Sequence, residues 1–165
     1  MKKLITITVL LISISTFSQD AIGFSFALDN KLTFIEDDSG NKPFTFDGTF
    51  KFTMQGYQKK LGYLQIAAKY EFADLVGGEF HRYGAELGYV FTYDNFGLMP
   101  FAGYGILKRE DFARRSWEFG ATASLKVFRN IKVISSILWT ERTDLRQQFQ
   151  LNMQTGIQID IKTGY

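Results

Sequence analysis

His81 stands in the run Phe80-His81-Arg82-Tyr83-Gly84 and is the only histidine of a 165-residue chain that has no cysteine. As a general base it needs a nucleophilic hydroxyl within hydrogen-bond reach, and no second imidazole exists to activate a serine elsewhere. Glu79 and Glu86 are close enough in sequence to orient the ring. One imidazole without a thiolate is also a poor transition-metal set. Glu36, Asp37, Asp38 and Asn41 could offer oxygen ligands to Ca²⁺, but their spacing is not that of a calcium loop, and a solvated acidic turn is expected. No metal and no cofactor are therefore expected. Arginine carries the remaining chemistry. Lys108, Arg109, Arg114 and Arg115 gather around one connection, Arg142 and Arg146 around another, and guanidinium groups bind phosphate in bidentate fashion. Glu110, Asp111, Glu141 and Asp144 are interleaved among them and would neutralise part of that charge.

The elements that must position these groups are read from alternation. Phe44, Phe46, Phe50, Phe52 and Met54 share one parity with Gly48, while Thr45, Asp47, Thr49, Lys51, Thr53 and Gln55 share the other. Successive side chains of a strand point to opposite faces, so this segment has one apolar and one polar face. The pattern returns near the end of the chain. There Phe149, Leu151, Met153, Ile157, Ile159 and Ile161 oppose Gln148, Gln150, Asn152, Gln154, Gln158, Asp160 and Lys162. Dyad repeats in roughly ten-residue units are the sequence mark of a transmembrane β-barrel, apolar outside and polar within.

Residues 1–18 read as a secretory signal peptide: Lys2 and Lys3, then the apolar run from Leu4 to Ile14, then small polar residues with Thr16 and Ser18 before the expected cut. The run is too short for a membrane helix, and no cysteine follows it to mark a lipoprotein. Residues 19–165 form one domain by length. Loss of Lys2 and Lys3 takes the 19 Lys and Arg down to 17, level with the 17 Asp and Glu. The basic balance of the precursor is thus no sign of nucleic-acid binding. An exported domain without disulfides must be stabilised by a core or a bilayer.

Parity predicts eight strands, at 22–35, 43–56, 61–73, 79–93, 97–108, 114–128, 131–142 and 147–163. An even count suits a closed barrel. The expected fold is all-β: an eight-stranded antiparallel up-and-down transmembrane β-barrel. In the fifth strand, Leu98, Ala102, Tyr104 and Ile106 compete with Met99, Phe101 and Leu107 for the apolar face. If the N-terminus starts in the periplasm, the turns on that side are 57–60, 94–96 and the pair Arg129-Asn130. The outer loops are then 36–42, 74–78, 109–113 and 143–146. Aromatic residues make up 16% of the chain, and Tyr70, Phe72, Tyr83, Tyr93, Trp117, Trp139 and Tyr165 fall towards strand ends, as interfacial girdles require.

Lysines, arginines and acids sit with glycines on the polar parity: Lys51, Lys69, Glu71, Arg82, Glu86, Glu118, Lys126, Lys132 and Asp160. The interior of an eight-stranded barrel is only just wide enough for side chains, and an unpaired buried charge costs several kcal/mol. A paired charge network filling the lumen is expected.

With leader, strand count and girdles in hand, the chain resembles the small eight-stranded bacterial outer-membrane barrels of the outer-membrane protein A and X type. Ile157, Ile159, Ile161 and the terminal Tyr165 resemble that family's C-terminal signal, which implies recognition by the barrel-assembly machinery; Thr163 departs from it. The resemblance implies an integral outer-membrane protein with a structural or surface-interaction role, in contact with outer-membrane lipids and lipopolysaccharide. In that setting Arg109, Arg114, Arg115, Arg142 and Arg146 could grip lipopolysaccharide phosphates. Some barrels of this size deacylate lipid A with a serine two residues after the histidine. Tyr83 holds that position here, so no enzyme is expected. The competing reading is a secreted lipocalin-like barrel whose Phe-rich face turns inward around an apolar ligand.

Overall fold

A computed structural model describes residues 19–34, 41–56, 58–75, 78–109, 112–142 and 149–162. The leader, Glu36 to Asp38, Glu110, Asp111, Asp144, Arg146 and Tyr165 lie outside these described residues.

Eight strands follow in chain order: β1 (Gln19–Asp29), β2 (Asp47–Gly56), β3 (Gly62–Leu75), β4 (Gly78–Tyr93), β5 (Phe96–Arg109), β6 (Phe112–Lys126), β7 (Ile131–Glu141) and β8 (Phe149–Lys162). Each pairs antiparallel with its sequence neighbour, and β1 pairs with β8 from Ala21↔Lys162 to Asp29↔Gln154, closing the barrel. Closure gives every strand a hydrogen-bonded neighbour on both sides.

The barrel is inverted relative to a soluble protein. Phe24, Phe50, Leu87, Trp117 and Ile157 are each about half exposed on the outer wall (49–56%). Thr49, Gln65, Lys69, Arg82, Glu118 and Gln154 are buried inside. An apolar surface that encircles the molecule far exceeds the patches a soluble monomer exposes. The lipocalin-like alternative needs the Phe-rich parity to face inward and is overturned by this orientation.

Three expectations about boundaries are corrected. The first strand was expected to run to residue 35, but it stops at Asp29, whose carboxylate accepts the Leu32 amide at 3.0 Å and caps a short helix, α1 (Asn30–Phe34). Leu32 is therefore buried against the barrel end instead of lying on the outer wall. The second strand begins at Asp47, four residues later than parity suggested. Between β6 and β7 the connection is Val127 to Asn130 and not the pair Arg129-Asn130, with the Val127 and Phe128 amides both donating to the Ile131 carbonyl.

Short turns gather at one end of the barrel. Asp94 and Asn95 join β4 to β5, and Asp94 takes the left-handed φ of 50° that short polar side chains tolerate. Gly62 opens β3 at φ 141°, where a Cβ would strike the Val90 carbonyl. Helix α1 and the longer connections occupy the opposite, loop end.

The fifth strand settles its own ambiguity. Leu98, Ala102, Tyr104 and Ile106 point outward, and Met99, Phe101 and Leu107 are buried inside. The lumen is thus partly apolar. Tyr63, Val90, Met99, Phe101 and Leu138 cluster in it, as do Ala73, Phe80 and Leu107 nearer the loop end.

Candidate functional site

Two groups of side chains carry the chemistry: a charged network inside the lumen and a basic surface at the loop end. Lys69 on β3, Arg82 on β4 and Glu118 on β6 meet because their strands bring inward-facing positions to one level, Lys69 opposite Gly84 and Glu118 opposite Gly103. Lys69 Nζ donates to Glu118 Oε2 at 2.8 Å, and Arg82 Nη1 donates to the same oxygen at 2.5 Å. Glu71 stands as second acid, 3.3 Å from Lys69 and 3.8 Å from Arg82. Ser116 accepts from Arg82 Nε at 3.1 Å. All four charged groups are essentially sealed from solvent. Gly103 makes room, since a Cβ there would lie 2.7 Å from Glu118 Oε1.

Lys51 and Glu86 form a second pair, bonded through both carboxylate oxygens at 2.5 and 2.7 Å. Lys51 also rests 5.2 Å from the centre of the Phe101 ring. Three cations thus meet three acids across these two groups. Nearer the turn end, Lys132 binds Asp160 at 2.6 Å and donates to the Tyr63 hydroxyl at 3.3 Å. Lys126 does not join the network. It lies exposed at the end of β6, four residues past Thr122, the strand's last buried position, and Lys132 partners Asp160 instead.

Of the five arginines expected to share a rim, the four described ones do not form one surface. Arg142 is buried (4% exposed), lies 4.3 Å from the Phe80 ring and donates to Gln150 at 3.2 Å. Its parity continues that of Ser136, Leu138 and Thr140, so it enters the barrel mouth and cannot serve as a surface phosphate contact. Arg109 is half-buried at the end of β5. Arg114 and Arg115 are exposed, Arg114 over the Phe112 ring at 5.5 Å. Arg146 lies outside the described residues.

The outer wall beside Arg115 holds a grouping the residue pattern did not single out. Lys108 pairs in register with His81 on one side and Ala113 on the other, placing it one diagonal step from Arg115 on the same outward parity. His81 Nδ1 lies 3.0 Å from the Tyr70 hydroxyl, and its Nε2 is 3.5 Å from Glu79. The ring packs among Tyr70, Phe72 and Tyr83. Aromatic residues thus enclose His81, and the hydroxyls around it are phenolic. Among the described residues no grouping of His, Asp and Glu is fit to hold a metal ion.

No protein-family model matches the chain, and no curated protein does. Among solved structures the barrel matches the Yersinia pestis outer membrane protein Ail, whose backbone structure was determined in a phospholipid bilayer nanodisc. The TM-score is 0.57 at 14% identity, over 87% of this chain and 100% of that one. It also matches Neisserial surface protein A, with a TM-score of 0.42 at 10% identity, over 84% of this chain and 94% of that one. The chain has the fold of the small eight-stranded outer-membrane β-barrels.

Proposed function

We propose that this protein is an integral outer-membrane barrel, non-enzymatic, with a structural or surface-interaction role, exported by its leader and oriented with the turn end in the periplasm. One observation carries the reading: a closed barrel wears its aromatic and aliphatic side chains on the outside and its charges within. Only a hydrocarbon surrounding makes that arrangement favourable, because an apolar wall around the whole molecule is costly in water, while a closed ladder lets the backbone pair within the wall. The lumen is read as plugged, its charges neutralised in pairs and its remaining space filled by Phe80, Phe101, Met99 and Leu138. A role without catalysis is supported by His81, whose neighbours are tyrosines and a glutamate and not an activated serine.

The loop end offers a surface for phosphate. Arg115 and Lys108 on the outer wall, with Arg114 at the rim, replace the five-arginine set as contacts for lipopolysaccharide phosphates. Trp117, Tyr104 and Tyr83 nearby supply the amphipathic rings that settle at a membrane interface. Barrel purified from outer membranes in mild detergent should carry bound lipopolysaccharide. The triple substitution Lys108→Ala, Arg114→Ala and Arg115→Ala should lower the co-purified amount several-fold. An unchanged amount would remove this surface as the contact.

A further inference from the structure

At the turn end the barrel holds a blind, water-accessible vestibule of about 240 Å³. Four cations line it, Lys126, Arg129, Lys132 and Lys162, against two acids, Asp94 and Asp160. Asp160 is already saturated. Its Oδ2 receives Lys132 at 2.6 Å, and its Oδ1 receives the side-chain amides of Gln55 at 2.8 Å and Gln158 at 2.6 Å. Asp94 is left to face three further cations. Among the described residues, no side-chain ion pair engages Lys126, Arg129 or Lys162. Deeper in, Tyr63, Val90 and Met99 close the floor with apolar surface.

We propose that this vestibule binds the anionic group of a water-soluble molecule, a phosphate or a carboxylate, presented along the barrel axis. Low-dielectric walls concentrate the field of like charges set around a cleft. Arg129 supplies a planar fork suited to two-oxygen contact, while the lysines act as point charges around it. The volume falls below that of an ordinary drug-sized pocket, so the site takes a single small anion or the terminal group of a larger chain. A membrane lipid is the wrong source. Headgroups lie around the outer wall, whereas this cavity opens inside the ring of strands. The same end carries the exposed Lys59 and Lys60 on the β2–β3 turn, which do not line the cavity, and these provide the control.

The test is a ¹⁵N NMR titration of the full barrel in a non-ionic, phosphate-free detergent. Inorganic phosphate and, separately, citrate are added at constant ionic strength. Saturable shifts are expected at the amides of Asn95, Lys126, Asn130 and Lys162, with none at Arg115 on the opposite end. The double variant Lys126→Gln/Arg129→Gln should weaken the response at least tenfold, and Lys59→Gln/Lys60→Gln should leave it unchanged. An unboiled band that still migrates ahead of the boiled one verifies that each variant is folded. Stronger saturation by phosphate points to a phosphorylated ligand, and stronger saturation by citrate to an acidic peptide or sugar acid. Shifts that do not saturate, that appear equally at both ends, or that survive in the Lys126/Arg129 variant would overturn the proposal. Because the measurement is made in micelles, it stands apart from the orientation of the barrel in any membrane.

Discussion

Replacing Glu118 by leucine should cost the folded barrel about 3–5 kcal/mol, the range for removing one partner of a buried ion pair. Glu118 Oε2 is the shared acceptor of Lys69 and Arg82, and all three groups are sealed from water. Without it, Lys51, Lys69 and Arg82 face only Glu71 and Glu86, leaving one buried positive charge uncompensated. Glu118→Gln keeps an acceptor oxygen and should lose less. Pairing Glu118→Leu with Lys69→Met removes one cation as well and should recover part of the loss. The shift of the urea unfolding midpoint in lipid vesicles measures all three. A loss below about 1 kcal/mol for Glu118→Leu, the scale of a solvent-exposed pair, would contradict a network sealed from water.

Leu87→Arg is expected to cost about 2–4 kcal/mol, the depth-dependent penalty for a cation at the mid-membrane of a barrel wall. Leu87 lies near the middle of β4, 53% exposed, flanked across the ladder by Ile66 and Ala102. On a soluble protein an exposed leucine changed to arginine shifts stability by no more than about 0.5 kcal/mol. Phe112→Arg, at the loop-end start of β6, should cost only about 0–1 kcal/mol in the same assay. Equal costs at the two depths would count against a bilayer around the wall.

Alternation made most of the barrel legible. β8 carries clean two-residue periodicity, with polar residues or glycine on its inner face from Gln150 to Lys162, while β3, β4 and β7 keep a largely apolar outer face but admit Tyr63, Phe80, Val90, Ile134 and Leu138 among the small and polar inner residues. It failed where a second signal competed. Leu32 and Phe34 continue the parity of Phe24 and Phe26, yet Asp29 supplies a helix cap, and the chain turns there. In β5 both faces are apolar, since a narrow lumen uses Met99, Phe101 and Leu107 as filling, so parity alone could not choose a side.

The site was less legible than the fold. Parity brings Lys51, Lys69, Glu71, Arg82, Glu86 and Glu118 inside but also pointed to Lys126, which lies exposed, and which lysine meets which acid depends on register between strands distant in sequence. Lys126 and Lys132 sit directly opposite each other in the β6–β7 ladder, and only Lys132 reaches Asp160. Arg142, the last residue of the expected seventh strand, was grouped with the loop that follows it, although its parity with Thr140 and Leu138 places it inside. The pairing of Lys108 with His81 joins two strands and has no signature within either.

The most direct measurement is fractionation of cells expressing the full precursor, followed by electrophoresis of unboiled and boiled samples in detergent. The protein should appear in the outer-membrane fraction and run faster unboiled than boiled, as a closed, detergent-resistant barrel does. Recovery as a soluble periplasmic or secreted protein with no difference between the two samples would contradict a barrel whose apolar wall faces lipid.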